Sequence, residues 1–187
     1  MLITTALATE AGCALAIGRY PRFGYDARGG GGLAQMSASP SEPGWQGLVF
    51  DPATLTIPPL SGRTTRFLGL PLPPGLQIAI APDDLRGRWH RQSGAVELSF
   101  LARFRPLLAA RPVAPDLIVA TQLTTGAVGG RRHQARGSAL DGEGRGVLVG
   151  IATVAPTGEG WVDRFLGLPD EALAVLRCQL RLAPPSG

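Results

Sequence analysis

Apolar and polar residues alternate with a period of two along most of this chain, and the three-to-four spacing of an amphipathic helix is almost absent. In "LQIAIAP", Leu76, Ile78 and Ile80 share one face, and in "AVELSFLARF" Val96, Leu98 and Phe100 do the same. Comparable runs occur at "CALAIGRY" (13–20), "GGLAQMSA" (31–38), "DLIVATQLT" (116–124), "RHQARGSAL" (132–140) and "RGVLVGIATVAP" (145–156). "GLVFDPATLTIP" (47–58) reads as two short strands around Asp51-Pro52. Gly and Pro fall between these runs, a Ser-Gly pair in "RWHRQSGAVEL" marks a hairpin, and "DGEG" (141–144) marks another turn. The pattern predicts one all-β domain over residues 1–187. It is an antiparallel sandwich or barrel of about ten to twelve short strands, with at most one or two short helical turns. The helical signal sits in "PDEALAVLRCQL", where Pro169 precedes Asp170 and Glu171. A single turn is expected from Asp170 to about Ala174, followed by a strand.

The hexapeptide RFLGLP occurs twice, at Arg66–Pro71 and Arg164–Pro169, each time ahead of an alternating apolar stretch. Both copies follow a strand-like segment, a proline and a polar loop. This suggests an internal duplication with pseudo-repeat units 53–82 and 152–184. On that reading Phe67 and Phe165 plug the ends of the core, Gly69 and Gly167 permit a bend, and Pro71 and Pro169 end strand pairing. The alternative is an exposed Phe-Leu loop that docks on a membrane or partner.

Composition narrows the chemistry. All 18 basic residues are Arg, and the chain contains neither Lys nor Asn. Missing Lys excludes a P-loop lysine, Schiff-base chemistry and pyridoxal-phosphate catalysis, and no cofactor is implied. The net charge of +4 invites a nucleic-acid reading, but the arginines are scattered as codon bias would scatter them, so nucleic acid is disfavoured as a partner. Cys13 and Cys178 form no C-x-x-C unit, and no metal-ligand spacing is present. There is no signal-peptide pattern and no apolar run long enough to span a bilayer as a helix, so a cytoplasmic setting is expected.

A few places remain where a partner could bind. "DARGGGGL" offers Arg28 and the amides around Gly29 and Gly30 as an anion nest. "RGRWHRQ" offers Trp89 and His90, and "GGRRHQAR" offers Arg131, Arg132 and His133. No catalytic residue is assigned. An enzymatic alternative combines His133 and Arg131 with a distant carboxylate, Asp116 or Asp141. A nucleic-acid alternative stacks a base on Trp89 while arginines track phosphates.

The segments "YDARGGGG", "FDPATLTIP", "RFLGLPLPPGLQIAIAPDDLRGRWHRQSGAVELSF" and "GRGVLVGIATVAPTG" resemble a family of cyanobacterial and plastid proteins, most densely over residues 67–100. The resemblance implies a photosynthetic lineage and carries over no catalytic residues. A fainter likeness of pattern links the chain to lipocalin-like barrels that hold isoprenoids. The expected function is a non-catalytic binding or assembly module. Its partner is an apolar small ligand or a protein, with peripheral association at the thylakoid surface.

Overall fold

A computed structural model describes residues 3–38 and 42–183 of the 187-residue chain. In chain order the strands begin with β1 (Ile3–Thr9), β2 (Cys13–Ile17), β3 (Phe23–Tyr25), β4 (Gly31–Ala38) and β5 (Trp45–Phe50). They continue with β6 (Thr65–Phe67), β7 (Leu70–Pro71), β8 (Leu76–His90), β9 (Ala95–Leu108) and β10 (Arg111–Pro112). The last are β11 (Leu117–Thr124), β12 (Ala127–Gly129), β13 (Gln134–Arg136), β14 (Arg145–Val154) and β15 (Asp170–Leu182). One α-helix, α1 (Gly160–Leu166), precedes β15, and a 3-10 turn covers Pro52–Thr54.

Eight of these strands pair in the antiparallel order β1-β4-β5-β8-β9-β11-β14-β15, and β15 pairs back with β1. The ring is therefore an up-and-down barrel, closed by ladders everywhere except the β11–β14 seam, where only Thr124 and Val149 pair. Alternation left sandwich and barrel open, and the β1–β15 pairing decides for the barrel.

The barrel has two tiers because one edge of β15 is shared. Its C-terminal half, from Cys178 to Leu182, pairs with β1, and its N-terminal part, from Ala172 to Val175, pairs with β2. β3 pairs β2 and β6 pairs β3, so a lower wall continues below the upper ring. The Leu60–Ile78 bridge ties that wall to β8. A bulge at Asp83 keeps the long β8 in phase. Pro82 faces Ala102 and Asp84 faces Leu101, so the inward set switches from Leu76, Ile78 and Ile80 to Leu85 and Trp89.

The upper tier is packed solid by Met36, Leu48, Phe50, Leu98, Leu148 and Leu180, all buried. A smaller cluster of Cys13, Tyr25, Ala27 and Leu60 lies under β2 and β3, and Leu176 touches both. On the outer face Asp83–Arg103, Asp84–Arg86, Glu97–Arg88 and Asp116–Arg105 form ion pairs. Such exposed pairs contribute little stability, about 0–1 kcal/mol each.

Three expectations change. The described residues form fifteen strand segments rather than ten to twelve, because β3, β6, β7, β10, β12 and β13 add pieces of two or three residues to the long staves. The stretch 47–58 supplies one strand and a 3-10 turn, since the Asp51 carboxylate accepts from the Ala53 amide and starts that turn. The helix occupies 160–166 rather than 170–174, because β15 gains ladder partners on both edges from Ala172 onward, and tertiary pairing outweighs the acidic start signal.

The two RFLGLP copies do not form equivalent units. In the first, β6 and β7 make a two-residue hairpin with Leu68 at φ 51° and Gly69 at φ 81°. In the second, Arg164–Leu166 ends α1 and Gly167 caps it at φ 70°. The last residue of the second expected unit, Pro184, lies outside the described residues. What the copies share is a left-handed glycine, which ends a strand in one and a helix in the other. Nor is Phe165 a core plug: it is 62% exposed, with Leu68 at 72% and Leu70 at 68%.

Truncating Leu98 should destabilise the fold by about 2–5 kcal/mol, the usual range for a core leucine. Phe165→Ala should shift stability by less than about 1 kcal/mol, as surface positions do. Urea unfolding of both variants checks the contrast.

Candidate functional site

Below the packed tier the barrel is hollow. A cavity of about 400 Å³ lies between the lower halves of the staves. Its wall follows the inward parity of the strands: Leu15 from β2, Ile78 from β8, Phe104 from β9, Val119 from β11 and Val154 from β14. Room exists because the inward positions where β14 and β15 meet are small. Gly150, Ala152, Ala172 and Ala174 stand in the lower tier where Leu148, Cys178 and Leu180 fill the upper one.

The seam between β11 and β14 also opens. Only Thr124–Val149 pairs across it, and farther down the Thr121 hydroxyl donates to the Ile151 carbonyl at 2.8 Å. Among the lining side chains only Thr121 and, at the mouth, Trp161 carry a polar atom, and the Thr121 hydroxyl is already engaged. The interior therefore offers no free hydrogen-bonding side chain, only the Trp161 indole stands at the mouth, and selection rests on shape and apolarity.

At the mouth the cavity meets α1 and the segment before β11. Val162 and Leu166 close part of the opening, while Val113, Trp161 and Phe165 line it and remain 38%, 51% and 62% exposed. The Tyr20 hydroxyl donates to the Phe165 carbonyl, and the two rings lie 5.8 Å apart. This contact joins α1 to the end of β2. Phe23 packs near Phe67, with ring centroids 6.3 Å apart, so the β6–β7 hairpin tip belongs to the same end of the barrel.

The residues singled out in the sequence lie elsewhere. Arg28 chelates Asp26, whose Oδ1 also accepts from the Arg28 amide. The Gly30 amide donates to Ala27 and the Gly31 amide to Thr56. With these amides committed internally, the glycine-rich corner is a turn and Gly29 a left-handed link in it. Trp89 points into the packed upper core, where it cannot stack on a base, and its indole N–H has no partner among the described residues. Neighbouring Arg86 and Arg88 are held by Asp84, Glu97 and Glu42. His90 packs edge-on against Trp45, and Ser93 bonds its Nδ1.

"GGRRHQAR" forms the tip of the β12–β13 hairpin, and its backbone does the binding. The amides of Arg131, Arg132 and His133 all donate to the Glu171 carboxylate, at 2.5, 2.9 and 3.2 Å. Those bonds hold Glu171 below its ordinary pKa. Gly130 is needed for the approach, since a Cβ there would stand 2.6 Å from the carboxylate oxygens. The anion nest expected at 28–32 thus exists at 131–133, and its anion is the protein's own.

Arg132 also pairs with Asp170 at 2.8 Å, which holds that carboxyl below the usual range. The carboxylates proposed for an enzymatic site are engaged elsewhere. Asp116 pairs with Arg105, and Asp141 accepts the amides of Glu143 and Arg145 in its turn. Both cysteines are buried and free, and burial pushes the Cys178 thiol up to about 12. Among the described residues no group of three or more His, Cys, Asp or Glu is placed to hold a metal.

Sequence reasoning missed the cavity because alternation marks which residues face inward and not how well they fill the space. The available signal was the run of small residues at inward positions in "VLVGIATV" and "DEALAVL". No protein-family model, curated protein or solved structure matches the chain.

The Glu171 clamp has a defined pH dependence. A carboxyl whose folded pKa lies below its unfolded value stabilises the fold above the unfolded value, here 4.5. That stabilisation is lost as pH falls through the folded pKa. Glu171→Gln should be less stable than the parent near neutral pH, with the gap closing below about pH 4.5. Thermal melts from pH 7 to pH 3 read it directly.

Proposed function

We propose that this protein is a non-catalytic carrier of an apolar small molecule, held in the lower tier of the barrel. The observation that carries the reading is the lining: about 400 Å³ walled almost entirely by aliphatic and aromatic side chains, its one hydroxyl, on Thr121, already bonded to the Ile151 carbonyl. That volume lies within the usual range of ligand sites. At about 30 Å³ per methylene-sized group it takes roughly a dozen carbons, the size of a medium hydrocarbon chain or a short isoprenoid.

Energetics support occupancy. Left empty, a void of about 400 Å³ deprives its apolar wall of the packing contacts that a guest would make. Leucines in place of Ala152, Ala172 and Ala174 would remove much of that void, yet the chain keeps alanines there. An apolar guest removes the penalty without changing the wall. The reading fits the likeness of pattern to lipocalin-like barrels, and we propose a photosynthetic cell as its setting on the resemblance of its segments to cyanobacterial and plastid proteins.

A neutral fluorescent probe, N-phenyl-1-naphthylamine, should bind the parent with enhanced, blue-shifted emission. Ala114→Trp places a large ring at the cavity wall outside the strands, and Ala172→Phe fills the space from β15. Each should weaken probe binding at least tenfold while circular dichroism stays that of the parent. Equal binding by parent and both variants would remove the cavity as the site.

A further inference from the structure

The two copies of RFLGLP, so different in local structure, stand at the same end of the barrel. The hairpin tip carries Leu68 and Leu70, and the end of α1 carries Phe165. With Leu108, Val113 and Trp161 they make six of the twelve exposed large apolar residues among those described. The segments that bear them end or begin at the cavity mouth. β9 ends at Leu108, Val113 and Trp161 line the opening, and the tip follows Phe67, which packs on Phe23 of the wall. Leu68 is held at φ 51°, a left-handed conformation that disfavours a branched side chain, and is exposed as well. Neither property helps the fold.

Arginines are interleaved with this apolar rim. Arg19 follows β2, Arg22 precedes β3, Arg66 lies in β6, Arg111 lies in β10 and Arg164 sits between Trp161 and Phe165. All five are exposed, and none has a carboxylate partner among the described residues; Arg22 and Arg66 each donate to a backbone carbonyl, of Gln134 and Gly62, which leaves their charge uncompensated. By contrast, the outer-face arginines of β8 and β9 are paired. The acids nearest in sequence are mostly engaged: Asp163 accepts from Thr157 and Gly158, Asp170 from Arg132 and Asp116 from Arg105. Glu159 is the exception.

From this arrangement we infer that the mouth of the barrel docks on an anionic lipid bilayer and exchanges its apolar guest with the membrane. Trp161, Phe165, Leu68 and Leu70 insert at the interface, and the five arginines face the headgroups. A protein surface would call for complementary hydrogen bonding, whereas a fluid anionic surface needs only protruding apolar groups ringed by cations. The mouth then opens toward hydrocarbon, so the guest need not cross water. The inference rests on the apolar-carrier reading.

Vesicle flotation tests it, using phosphatidylcholine alone and phosphatidylcholine mixed with phosphatidylglycerol. The parent should float with the anionic vesicles at least tenfold better than with the neutral ones, and added salt should weaken the association. Arg111→Glu with Arg164→Glu should reduce flotation at least tenfold while leaving naphthylamine binding in solution at the parent level. Trp161→Ala with Phe165→Ala should also reduce flotation, and should abolish the blue shift in tryptophan emission that vesicles cause in the parent. Flotation indifferent to lipid charge, or unchanged in both double variants, would overturn the docking. So would a dimer in solution that these variants dissolve, which would assign the rim to a second copy. Loss of naphthylamine binding with flotation intact would instead remove the carrier reading and leave a lipid-surface protein.

Discussion

The architecture depends on the divided edge of β15. One edge of this strand pairs with β14 along its length, and the other is split between β1 and β2. Closure of the ring comes from β1, and depth comes from β2, which starts the lower wall through β3 and β6. The same strand changes inward residues along its length, from Cys178 and Leu180 in the packed tier to Ala174 and Ala172 in the hollow one. A stave of this kind holds both a core and a vessel. The core supplies the burial that pays for ordering the chain, and the vessel can then remain underfilled without unfolding it.

Much of this was legible in the sequence, for reasons that lie in particular residues. Ile78, Ile80, Val96, Leu98 and Phe100 alternate because one face of each strand is buried, and period two survives any closure of the sheet. The Ser93-Gly94 turn and the DGEG turn were readable because their chemistry is local. The helix was misplaced by about ten residues because a Pro-Asp-Glu start signal cannot register that β15 finds ladder partners on two sides. The repeat of RFLGLP misled for a related reason. Six letters fix a left-handed glycine and little else, and β3 draws the first copy into a strand while no strand pairs with the second.

The candidate site was less legible. Charged and glycine-rich segments drew attention because their chemistry is visible one residue at a time. The structure shows most of them serving the fold: Arg28 chelates Asp26, Trp89 fills the upper core, and the amides of 131–133 clamp Glu171. A cavity made of missing methyl groups leaves no such mark. The five arginines at the mouth, like Arg63, Arg91, Arg131, Arg136, Arg177 and Arg181, have no carboxylate partner among the described residues, and none of these was distinguishable in sequence from the paired ones. The charge of +4 is therefore less informative than its placement.

On this reading the lower tier is a ligand site and the upper tier a core. Methyl-resolved NMR of the protein titrated with an uncharged long-chain alcohol tests it most directly. The predicted result is that methyl signals from Leu117, Val119, Ala172 and Ala174 shift with saturation, while those of Leu48, Leu98 and Leu148 stay in place. Shifts confined to exposed methyls outside the barrel, or spread evenly through both tiers, would contradict it.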